Sequence, residues 1–137
     1  MLRKNAKVEL IGRVPLFSRC SKKELEEVAS IADEIDLSQG KVLTREGDRG
    51  REFFVLLEGS ADVSKGRRKI DAIGAGDFFG EIALVSNSPR TATVTTTSPS
   101  RALVVSAQGF RSLMQRHPTI QSKVLEALAE RLAPITV

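Results

Sequence analysis

The chain has 137 residues, 41% of them apolar and 28% charged, which suits one soluble globular domain over 1–137 and excludes both disorder and a membrane-embedded class. The net charge of +4 leaves anionic partners open. With no Trp or Tyr and only six Phe, no aromatic residues interleave with the basic ones for base stacking, so no direct nucleic-acid contact is expected.

The opening stretch MLRKNAKVELIGRVPLF lacks the unbroken apolar run of a signal peptide. No later stretch approaches the length of a membrane span, so a cytoplasmic protein with no membrane contact is expected. Cys20, the single cysteine, can make no internal disulfide or zinc site, in keeping with a reducing compartment. The run SKKE at 21–24 is a capping box, in which Ser21 accepts from the third amide of a helix and Glu24 reaches back. Leu25, Val28, Ala29 and Ala32 then recur at helical spacing, so a short amphipathic helix is expected to about Asp33, within an N-terminal helical part over 14–34.

From Ile35 to Val105 the sequence breaks into short β-prone runs, KVLTR, EFFVLLEG, SADVS, RKIDAI, TATVTTT and RALVVS, punctuated by glycines. That rhythm predicts an antiparallel roll or barrel over 35–105. KGRRK at 65–69 reads as a solvated hairpin tip. After Ser106 the helical period returns, giving C-terminal helices over 106–133. QGFRSLMQRH is the first, and Pro118 suits the first position of the second. In that second helix Ile120, Val124, Leu128 and Leu132 share one stripe, which Pro134 ends. The stripe either packs on the roll or is partly reserved for a protein partner or a second copy.

Catalysis finds little support. GAGDFFG at 74–80 spaces its glycines as Gly-x-Gly-x-x-x-Gly, and Pro89 interrupts any helix after it, so no dinucleotide unit fits. His117 is the single histidine, too few for a metal centre or for activating a serine or Cys20. No enzyme, metal or cofactor is expected.

The run FFGEIALVSNSPRTATV at 78–94 is more informative. Gly80 allows a turn without a Cβ, and EIAL is long enough for one helical turn whose first amides have no internal partner. Those amides make an anion seat that Arg90, placed by Pro89, can close with a bidentate fork, with Thr91 adding a hydroxyl. A carboxylate beside a phosphate is repulsive unless it accepts from something else, and Glu81 could hold a sugar hydroxyl. A 3′,5′-cyclic nucleotide meets both demands, with one negative charge and a free ribose 2′-OH.

The same run resembles the phosphate-binding cassette of the cyclic nucleotide-binding domain family, found in catabolite-activator-like regulators, cyclic-nucleotide-dependent kinases and cyclic-nucleotide-gated channels. The likeness extends upstream through REGDRGREFFVLLEGSADV, where Gly47 and Gly59 occupy turn positions, and covers roughly residues 14–132. It implies a mainly β fold, an antiparallel eight-stranded β-roll with an N-terminal helical part and two C-terminal helices. It also implies that Glu81 holds the ribose 2′-OH and Arg90 the cyclic phosphate. The amides at Gly80, Ile82 and Ala83, together with Thr91, complete the seat. Val63 and Ile73 match positions facing the base, and Arg131 a position that caps it in some members.

The resemblance implies a regulatory sensor for cAMP, or for cGMP, which the Thr91 hydroxyl favours in some relatives. In it, ligand at the 80–91 cassette repositions the C-terminal helices. Departing from the regulators, the sequence carries no helix-turn-helix after Pro134, nor kinase or channel segments, which leaves the output open. The alternatives are a non-catalytic interaction module with a vestigial pocket, or the sensor fragment of a larger transcription regulator, kinase or channel.

Overall fold

The computed structural model describes residues 2–132, with side chains through residue 130. Pro134 and the side chains of Arg131 and Leu132 therefore lie outside the described residues. The backbone groups into two compact units, one formed by Met1–Ala32 and Gly109–Val137 and the other by Asp33–Gln108.

In the first unit, α1 (Lys4–Gly12) precedes a 3₁₀ turn (Pro15–Phe17) and α2 (Lys22–Ser30). Sequence periodicity gave no sign of α1, because only Val8 and Ile11 of its apolar residues are buried and they form no full stripe. The capping box forms as expected: the Glu24 N–H donates to Ser21 Oγ, and the Ser21 N–H to Glu24 Oε1 at 2.8 Å. Helix α2 stops at Ser30, short of the expected Asp33, because Asp33 already belongs to the first strand. C-terminal to the roll come α3 (Ala107–Arg116) and α4 (Pro118–Leu132), the latter opened by Pro118.

Phe17 and Phe110 meet edge to face, with ring centroids 5.5 Å apart, an arrangement aromatic quadrupoles favour. Helix α4 packs against the 3₁₀ turn. Along its expected stripe Ile120 and Val124 are buried, Leu128 is half-buried, and Leu125 on another face is 59% exposed. Ion pairs join Lys4 to Glu26 and Arg19 to Glu130, and His117 Nε2 lies 3.5 Å from Glu27 Oε2.

The second unit is a roll of two four-stranded antiparallel sheets. Its strands are β1 (Asp33–Leu37), β2 (Val42–Thr44), β3 (Glu52–Glu58), β4 (Ser60–Lys65), β5 (Arg68–Gly74), β6 (Phe78–Phe79), β7 (Thr93–Thr96) and β8 (Ser100–Ser106). One sheet runs β1-β8-β3-β6, the other β2-β7-β4-β5. Strand β3 lies inside its sheet, and Phe53, Phe54, Val55 and Leu56 are all buried. Burial on both faces explains why this segment reads as a continuous apolar run rather than an alternation. Two strands carry no such signal. Strand β1, DEIDL, is acidic and is held to β8 through a backbone ladder and an Asp36–Arg101 pair of 3.0 Å; β6 is a two-residue rung on β3. The basic run at 65–69 does form a hairpin tip, with Gly66 at φ +60° between β4 and β5.

Candidate functional site

Strand β6 ends at Gly80, whose φ of +83° is open to glycine and strained for other residues. The chain turns there into a single 3₁₀ turn, Glu81–Leu84, whose Ala83 and Leu84 side chains anchor it in the core. The loop beyond leads to Pro89 and Arg90, before β7 begins at Thr93.

The segment 45–50 acts as a template for Arg90. The Arg90 N–H donates to Asp48 O at 2.7 Å, and the Gly47 N–H donates to Arg90 O at 2.9 Å; Arg49 and Pro89 form an isolated β-bridge. Gripped at both peptide groups, the backbone aims the guanidinium. Nη2 then donates to Glu52 O at 2.5 Å and Nη1 to Gly80 O at 3.5 Å. A Cβ on Gly50 would sit 3.1 Å from both Arg90 Cζ and Nε, so Gly50 is a close backing for the arginine. Partial burial draws the Arg90 pKa below its ordinary value, and the Glu52 carboxylate partly offsets that. An anion in the cavity would favour the charged guanidinium and so offset that cost.

Arg90 and Glu81 line one cavity of about 350 Å³ within the second unit, together with Gly80, Ile82, Ala83 and Thr91. The 80–91 connection thus brings the expected acid and base to a shared space. The N–H groups of Gly80 and Ile82 have no acceptor among the described residues, whereas the Ala83 N–H donates to Gly80 O at 3.1 Å. The Ala83 amide is therefore already engaged within the turn. Val63 is on the cavity wall. Ile73 is not; it pairs with Ala61 in the β4–β5 ladder. The Arg131 side chain lies outside the described residues.

Sequence reasoning missed several wall residues, Thr44, Gly50, Phe79 and Val94 among them. Phe79 and Val94 look like ordinary strand apolars. For Thr44, whose hydroxyl donates to Ala92 O at 3.0 Å, no local signal exists. Among the described residues no group of three or more His, Cys, Asp or Glu could hold a metal ion.

Comparison with known proteins decides the family. A model described as the cyclic nucleotide-binding domain matches residues 34–117. The chain belongs to this family. Cyclic nucleotide-binding domains are regulatory, ligand-binding modules, and the two-sheet roll is their architecture. Over 110 residues the chain is 34% identical to a cAMP-dependent protein kinase regulatory subunit of Mycosarcoma maydis, covering 74% of this chain and 21% of that protein. Over 123 residues it is 32% identical to a cyclic nucleotide-gated potassium channel of Rhizobium etli, covering 90% of this chain and 34% of the channel. The crystal structure of the N-terminal domain of a transcriptional regulator from Streptomyces coelicolor superposes with a TM-score of 0.82 at 27% identity, covering 92% of each chain. The chain thus spans about a fifth to a third of the length of these curated relatives. None of its helices among the described residues is long and apolar enough to cross a membrane.

Proposed function

We propose that the cavity binds a 3′,5′-cyclic nucleotide, with cAMP as the preferred ligand and cGMP as the second, and that the domain is the sensor portion of a larger regulated protein. The observation that carries this reading is the state of Arg90. Its side-chain hydrogen bonds go to two backbone carbonyls rather than to a carboxylate, so the guanidinium is aimed and yet keeps its charge for an anion in the cavity it shares with Glu81. In this assignment Arg90, the Gly80 and Ile82 amides and the Thr91 hydroxyl hold the cyclic phosphate, with Ala83 fixing the turn. Glu81 accepts from the ribose 2′-OH, and Val63 lies along the base. Ile73 and Arg131 are assigned to the base end through family likeness alone.

The named activities of the relatives, a cAMP-dependent kinase subunit and a nucleotide-gated channel, support the ligand class. Ligand occupancy would reposition α3 and α4, shifting the population toward the state that makes more contacts with the nucleotide. The exposed Leu125 on α4 supports a protein partner or a second copy on that helix. A half-buried Cys20 without a cysteine partner suits a cytoplasmic location.

The test is calorimetric titration of cAMP and cGMP into the wild type and Arg90→Ala. The substitution should weaken binding by about 2–5 kcal/mol, because it leaves the phosphate charge partly unpaired. Unchanged affinity would remove the assignment.

A further inference from the structure

The β4–β5 hairpin tip carries Lys65, Arg67 and Arg68, all exposed and none in an ion pair among the described residues. The acids around them are already engaged. Asp62 pairs with Lys69 at 3.2 Å, Asp71 Oδ1 accepts from the Ala72 N–H, and Glu46 Oε1 accepts from the Gly66 N–H at 2.8 Å. Strand β5 is the edge of its sheet. At the β4–β5 register shift Ile70 is left without a cross-strand partner and is 51% exposed. Three cations outside any ion pair among the described residues, an open strand edge and one exposed apolar side chain therefore share one projection.

This tip is also wired to the cavity. Glu46, which holds Gly66, donates its own N–H to Thr93 Oγ1 at 2.9 Å. The next residues along, Gly47 and Asp48, grip the two peptide groups of Arg90. From Gly66 to Arg90 the path crosses one side-chain hydrogen bond and one short, backbone-bonded segment.

We propose that the β4–β5 tip docks an extended acidic protein segment, and that its occupancy is felt at Arg90 through Glu46. Charge complementarity selects the acidic class. An extended peptide is favoured over a nucleic acid because the tip has no aromatic residue on which a base could stack. It is favoured over an anionic membrane because a strand edge offers peptide groups that headgroups use only in part. Docking is reciprocal with ligand binding: if the segment changes nucleotide affinity, the nucleotide changes the segment's affinity by the same factor. The coupling half of the proposal rests on the cyclic nucleotide reading; the docking half does not.

The experiment measures binding of a fluorescent polyglutamate peptide by anisotropy at low salt, to the full chain and to the double variant Arg67→Glu/Arg68→Glu. Neither residue lines the cavity, and the variant's fold is checked by its melting profile and its cAMP affinity. We expect the wild type to bind and the variant to lose about tenfold or more, since repulsion replaces attraction. Equal binding by both proteins overturns the docking surface. Tighter binding of single-stranded DNA or phosphatidylserine vesicles than of polyglutamate, with the same loss in the variant, overturns the choice of partner. The coupling is read by titrating cAMP with and without saturating polyglutamate. A shift of about fivefold that disappears in Glu46→Ala supports the path, and no shift in the wild type overturns it. If cAMP fails to bind at all, the nucleotide reading falls while the anisotropy result still judges the docking surface.

Discussion

Replacing Gly80 by alanine tests the geometry that sets Arg90, and two costs can be separated. The first is conformational. At φ +83° an L-residue loses about 1–2 kcal/mol relative to glycine. The second is steric, because the new Cβ would stand 2.5 Å from Arg90 Nη1 and 3.0 Å from Glu52 O. The carbonyl belongs to strand β3 and yields little, so the arginine tip moves. That movement breaks its hydrogen bond to Glu52 O, and for a half-exposed charged donor the loss is about 1–2 kcal/mol.

Gly76→Ala supplies the control, since Gly76 has φ +91° with nothing within 4 Å of a built Cβ. Both variants should lose stability in urea unfolding, Gly76→Ala by the conformational cost alone and Gly80→Ala by more. A loss of 1 kcal/mol corresponds to about 3 °C in melting temperature for a domain of this size. Only Gly80→Ala should lose cAMP affinity in calorimetry, by about 1.4–2.8 kcal/mol, or about 10- to 100-fold. Equal cAMP affinities for Gly80→Ala and Gly76→Ala would refute the claim that Gly80 is required for the placement of the guanidinium.

Other outcomes follow from the same structure. The 2′-deoxy analogue of cAMP should bind at least about tenfold more weakly than cAMP, because Glu81 then faces no donor; equal affinities in parallel titrations would take the ribose role from Glu81. Ser21→Ala should cost about 1 kcal/mol in urea unfolding by removing the cap on the Glu24 amide. The Ser21 N–H, followed by smaller contributions from Thr119 and Lys123, holds the Glu24 carboxyl below its ordinary 4.5. A lowered folded-state pKa stabilises above the unfolded value, so the difference between wild type and Glu24→Gln should be present near neutrality. It should fade as pH falls from 4.5 through the lowered value, and a difference constant across that window in acid melts would contradict it. Cys20 is pushed up to about 11, first by burial and then by Glu24, with Lys123 opposing. Its alkylation by iodoacetamide should accordingly be slow near neutrality and rise about tenfold per pH unit. Rapid labelling of the folded protein at neutral pH would argue against that burial.

The sequence by itself determined whatever rests on local chemistry. SKKE announces a capping box because its hydrogen bonds span only three residues, and it forms as read. Six of the eight strands announce themselves through β-branched or apolar runs. Gly80, Glu81 and Arg90 sit close enough along the chain for their shared ligand chemistry to be argued from spacing. Tertiary structure decided the rest. Strand β1 carries three acids in five residues and becomes a strand because β8 presents an open ladder and Arg101 to meet it. Strand β6 is too short to signal at all and exists as a rung on β3. Helix α1 lacks a full apolar stripe, so its existence depends on packing against α2. In the cavity, Thr44 and Gly50 stand about forty residues before Arg90 in the chain, and only the fold puts them on the wall that the arginine shares. Hydrogen bonds of short loop closure can be read from residue order. Contacts closed over long loops are set by which surfaces remain to be covered once the sheets have formed.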